Sequence, residues 1–148
     1  YAVSGRTIGW RAGFFWGLAG FTIFILPPGL GLPPEVPGTA AAPLTDRQVW
    51  WVATAVLTAG ALAILFYVQQ AKPIWYAVAV ALLVAPHLIG APQPTEYTSA
   101  APESLAHRFI VAATVAALLF WAATGALAGL FYERFVLKAG ASARNAAG

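Results

Sequence analysis

Hydrophobic residues in this chain fall into four long runs, separated by short polar or proline-rich connections. No Lys, Arg, Asp or Glu interrupts residues 12–34, 49–68, 73–89 or 109–132. A helix rises 1.5 Å per residue, so about 20 apolar residues cross a hydrocarbon layer of about 30 Å. The pattern predicts an all-α, polytopic membrane protein. It has four transmembrane helices over about 8–26, 49–68, 73–89 and 109–132, in a single helical domain of residues 1–138. The small, polar stretch 139–148 reads as a mobile C-terminal tail.

Within the runs, small residues recur at helical spacing. Gly9, Gly13 and Gly17 repeat every four residues, with Gly20 a turn further on, and Gly125 and Gly129 repeat the spacing near the other end. Such faces let another backbone approach closely, which suits helix packing inside a bilayer. Trp50 and Trp51 at one end of the second run and Tyr67 at the other predict an aromatic belt at both interfaces. Thr45 and Gln48 have the spacing of a capping box, and Asp46 suits the positive end of a helix starting there. Pro102 fits the first turn of the fourth helix.

Composition strengthens the membrane reading. The chain is 60% hydrophobic and 9% charged, where soluble domains carry roughly 25% charged residues. Lipid must therefore solvate most of it. The net charge of +3 comes from scattered residues with no basic cluster, so nucleic acid is excluded as a partner. Cysteine and methionine are both absent, which rules out disulfides, thiolate sites and thioether ligands for Cu(I). The chain starts at Tyr1 without an initiator, which predicts that it is the observed part of a longer protein.

Charge asymmetry sets an orientation. Four spans place Arg6, Arg11, Lys72, Arg134, Lys138 and Arg144 on one side, with Glu133 as the acid there. The opposite side holds Arg47 and Arg108 against Glu35, Asp46, Glu96 and Glu103. The positive-inside rule then predicts that both termini are cytoplasmic. Two breaker-rich stretches, PPGLGLPPEVPG at 27–38 and PHLIGAP at 86–92, come to lie together on the outer face. Proline removes backbone donors and fixes φ, so no ordinary helix is expected through 27–38.

Few residues offer chemistry. Glu35, alone among the prolines, is either a solvated loop carboxylate or a cation-attracting acid at the mouth of a pathway. His87, after Pro86, is either a structural hydrogen-bonding group or a metal ligand through its neutral imidazole. Co²⁺ accepts imidazole and carboxylate together, so Glu35 and His87 make two corners of a candidate metal site. Further ligands would have to come from Asp46, Glu96, His107 or sequence beyond this chain. His107 and Arg108 read as interface anchors, and a bis-histidine haem site from His87 and His107 is disfavoured because both lie near one membrane surface. No Walker motif, nucleotide-binding glycine loop or nucleophile–base pair is present, so neither an enzyme nor an ATPase is expected.

Three segments, WGLAGFTIFILPPGLGLPPEVPG at 16–38, DRQVWWVATA at 46–55 and PHLIGAP at 86–92, resemble the predicted cobalt transporter (CbtA-like) family of bacterial membrane proteins in order and spacing. FWAATGALAGLFYERF at 120–135 is similar to the last span of that family. The resemblance implies cobalt uptake across the bacterial inner membrane by a multi-pass protein. Co²⁺ would be cargo rather than a resident cofactor, and the chain would work beside other membrane subunits such as a small histidine-bearing partner. It carries Glu35 and His87 over as candidate metal contacts. The rival expectation, from the lack of a charge in mid-span, is a non-catalytic accessory subunit of a larger respiratory or photosynthetic membrane complex.

Overall fold

The computed structural model describes residues 8–68, 72–96, 98–99 and 101–137. The expected tail at 139–148, together with Arg6, Tyr97 and Lys138, lies outside the described residues. The fold is all-helical, with 78% helix and no strand among the described residues. In chain order the helices are α1 (Trp10–Phe24), α2 (Leu26–Gly31), α3 (Leu44–Tyr67), α4 (Pro73–Ile89) and α5 (Glu103–Phe131). A π-helical segment, Tyr132–Leu137, continues α5. Three helical stretches, Trp10–Gly31, Leu44–Tyr67 and Glu103–Leu137, are long and apolar enough to cross a membrane, while α4 is a shorter apolar helix of 17 residues.

The proline stretch is more helical than its composition suggests. Pro27 and Pro28 cannot donate to the carbonyls of Ile23 and Phe24, so α1 stops at Phe24. Helix then restarts at once as α2, because the first turn of a helix has no internal partner for its N–H groups anyway. The Gly29 N–H donates to the Ile25 carbonyl at 2.8 Å and the Leu32 N–H to that of Pro28 at 2.9 Å. The extended, non-helical part of the stretch is thus confined to residues after Gly31.

The capping box is also displaced. Helix α3 begins at Leu44, one residue before Thr45, with Pro43 at its N-cap and no side-chain cap. The Arg47 N–H donates to the Pro43 carbonyl at 3.2 Å. Pro43 has ψ near 135°, the extended geometry that lets it hand over directly to a helix, and this leaves Thr45 inside the first turn. Asp46 does lie in that turn, near the positive end of the helix.

Residue contacts divide the chain into two compact units. One joins the part of α1 up to Phe21 with α5 from Ala117 onward; the other is Thr22–Ala116. In the first unit the glycines of α1 and α5 interlock. A methyl group built on Gly13 would strike the Gly125 carbonyl, one on Gly17 the Trp121 carbonyl, and one on Gly129 the Gly9 carbonyl. A methyl on Gly20 would strike the Trp121 ring. Backbones touch here because no side chain stands between them.

In the second unit α3 and α4 form an antiparallel hairpin. Its contact face is built from small or slim residues: Thr54, Ala55, Thr58 and Ala61 on α3 and Ala79 on α4 are all buried. The two threonine hydroxyls stay satisfied within their own helix, donating to the carbonyls of Trp50 at 2.9 Å and Thr54 at 2.8 Å. Helix α4 holds Pro86 in its last turn and ends at Gly90, whose φ of 87° favours glycine. The connections on either side of this hairpin, 32–43 and 90–102, meet: the Ala40 N–H donates to the Thr98 carbonyl at 2.8 Å.

Candidate functional site

Glu35 follows α2 on the first of these connections. Its carboxylate pairs with Arg47 of α3, Nη2 to Oε2, at 3.2 Å. The two side chains remain 30% and 29% exposed, so water partly screens their attraction. Arg47 is held from a fixed point, two residues into regular helix after Thr45, whereas Glu35 sits on proline-rich chain without regular structure. The Arg47 Nε is buried and has no hydrogen-bond partner.

The pair lines a cavity of about 340 Å³. Its wall takes Glu35, Thr39 and Arg47 from the first connection and α3, Gln93 and Ser99 from the second, and Glu103 from the start of α5. At roughly 30 Å³ per water molecule, a hydrated divalent ion fits inside. Two carboxylates and one guanidinium line the cavity, and the remaining polar side chains are hydroxyls and an amide. Pro33, Pro34, Pro92 and Pro94 are part of its wall; they limit backbone motion and contribute no N–H to be satisfied. The Thr39 and Ser99 hydroxyls lie 3.4 Å apart, so the two connections share a polar seam at the wall. A second, more open groove of about 510 Å³ runs along Leu32, Leu44, Gln48, Trp51 and Val52, and Arg47 borders it as well.

His87 stands elsewhere in the same unit. It occupies the last turn of α4 with its ring edge-on to Trp50, centroids 5.8 Å apart at 71°. Trp50 donates its indole N–H to the Pro86 carbonyl at 3.2 Å, and its ring fills the space beside Gly31. His87 does not line the cavity that holds Glu35. Of the other sequence candidates, Asp46, Glu96 and His107 are exposed. Among the described residues no group of three or more His, Asp or Glu comes together as a metal cage. The structure therefore gives Glu35 and His87 different neighbours: an arginine and a cavity for one, an indole for the other.

Sequence reasoning missed Arg47 and Glu103 as members of the site. Arg47 and Glu103 counted only toward sidedness. The available signal was an isolated acid and an isolated base flanking one short proline loop in a chain with very few charges.

Apolar helices of membrane-spanning length, with an acid-lined cavity where two connections meet, define a helical membrane protein. The chain belongs to the family described as "Probable cobalt transporter subunit (CbtA)", whose profile matches residues 1–133. No curated protein and no solved structure matches it.

Proposed function

We propose that the chain is a membrane subunit for inward movement of cobalt, and that the ion enters through the cavity beneath Glu35. The family match over residues 1–133 carries the cobalt assignment and favours transport over an accessory role in a respiratory or photosynthetic complex. In this reading the protein sits in the bacterial inner membrane with four spans and cytoplasmic termini, the acidic connections facing outward. Two observations support that placement: the hydrogen-bonded meeting of the two connections, and the antiparallel return of α4 along α3. At 17 residues α4 is about 25 Å long, short of the hydrocarbon thickness by an amount that local thinning accommodates.

Cations collect at the outer face because Glu35, Glu96 and Glu103 lie on the two connections or at their margins. Glu35 provides the entry carboxylate, and His87, in the last turn of α4, offers an imidazole further along. Borderline divalent ions accept both donors. The chain performs no bond chemistry on its cargo and has no ATPase of its own. It acts with other membrane components, of which a small histidine-bearing protein is one. Cobalt uptake by cells expressing Glu35→Gln or His87→Ala at normal protein levels tests this reading. Reduced uptake in either variant supports the corresponding contact; unchanged uptake in both removes the proposed route.

A further inference from the structure

We infer that Arg47 is a tethered counter-cation, which occupies the Glu35 carboxylate until an incoming divalent ion displaces it. This deepens the uptake reading and rests on it. Four observations converge on Arg47. Its guanidinium already pairs with the carboxylate at 3.2 Å, so an incoming cation must compete with it for that group. The pair is partly exposed, so it is weak enough to exchange. The Arg47 Nε is buried without a partner, so the guanidinium is incompletely bonded where it stands. Finally, Arg47 borders both the cavity and the open groove beside Gln48 and Trp51, which gives the displaced side chain a place to go.

The charges agree with such an exchange. With Arg47 in place, Glu35 and Glu103 leave the cavity one negative charge in excess, which draws in cations while the entry carboxylate stays neutralised. A monovalent cation offers Glu35 no more charge than the guanidinium does. A divalent ion offers twice as much and can also use Glu103 and the hydroxyls of Thr39 and Ser99. Arg47 thus sets a threshold in favour of divalent cargo, and it can return to Glu35 and expel the ion onward. Oxygen donors bind cobalt only loosely, and loose binding suits a site the ion must leave.

Equilibrium dialysis of Co²⁺ against the full chain in mild detergent tests the proposal, using wild type, Arg47→Gln, Arg47→Lys and Glu35→Gln. Removing the competing charge in Arg47→Gln should tighten cobalt binding up to about fivefold, the worth of a partly exposed ion pair. Arg47→Lys, which keeps the charge, should stay near wild type, and Glu35→Gln should bind more weakly. Arg47→Gln binding as wild type does, with Glu35→Gln weakened, would overturn the displacement role and leave Glu35 as the entry acid. Glu35→Gln binding cobalt as well as wild type would overturn the entry site itself, and the displacement role with it. Equal weakening in both variants would mean that the pair serves only to hold the connection in place, and would also overturn the proposal.

Discussion

The indole N–H of Trp50 donates to the carbonyl of Pro86 across the α3–α4 hairpin, 3.2 Å away and buried. The bond joins residues far apart in sequence, and it lands on the proline that shapes the end of α4. The same ring lies beside Gly31 of α2 and meets the edge of His87. Trp50 therefore ties three helices together close to the cavity without entering it.

Trp50→Phe keeps an aromatic body and removes the donor. The Pro86 carbonyl still accepts from the Gly90 N–H at 3.1 Å, so it is not orphaned. The expected cost is about 1 kcal/mol, read as a lowered midpoint in thermal unfolding of the detergent-solubilised protein. Trp50→Ala empties the space beside Gly31 and should cost more, about 3–5 kcal/mol by the usual range for large core truncations. Equal stability of Trp50→Phe and wild type would show that the bond adds nothing net.

The glycine faces of α1 and α5 make a sharper contrast. In Gly13→Ala the new methyl meets the Gly125 carbonyl, a backbone atom that cannot rotate away. Overpacking of this kind costs about 1–3 kcal/mol. Gly29→Ala, in α2, has no heavy atom within 4 Å of the added methyl, and should fall within about 0.5 kcal/mol of wild type. Thermal stability of the two single variants, measured side by side, checks the difference.

The absence of cysteine makes the meeting of the connections directly testable. The hydroxyls of Thr39 and Ser99 are 3.4 Å apart, a separation a disulfide can bridge after small adjustment. A Thr39→Cys/Ser99→Cys double variant should form an intramolecular disulfide under mild oxidation, seen as a mobility shift reversed by reductant. For sidedness, Ser99→Cys alone should react with an impermeant maleimide added outside intact cells. Lys72→Cys, at the opposite turn, should react only after the membrane is opened. The reverse labelling pattern would invert the proposed orientation.

Much of this architecture was legible in the sequence because lipid imposes a simple rule. Backbone polar groups must be satisfied locally, so long uncharged runs become helices, and glycine spacing announces where they touch. The family too was readable, since LGLPPEVPG and PHLIGAP are not strings that generic apolar helices produce. What escaped was decided by neighbours distant in sequence. Pro27 and Pro28 look like helix breakers until they occupy a first turn, where their missing N–H groups cost nothing. Thr45 looks like a cap until Pro43 starts the helix ahead of it. Glu35 looked solitary because Arg47, twelve positions on, reaches it only once the intervening loop has folded back, and Glu103 joins them from another helix altogether.

The hydroxyls of Thr54 and Thr58 bear on how the protein is made. Each is bonded to a carbonyl of its own helix, so neither hydroxyl proton must wait for a neighbouring helix. On that count α3 can form as a finished segment before α4 is present. The Trp50 N–H differs, because its acceptor arrives only with Pro86 of α4. Synthesis order and bonding order then coincide: the threonine bonds are complete within α3, and the indole bond forms once α4 is present.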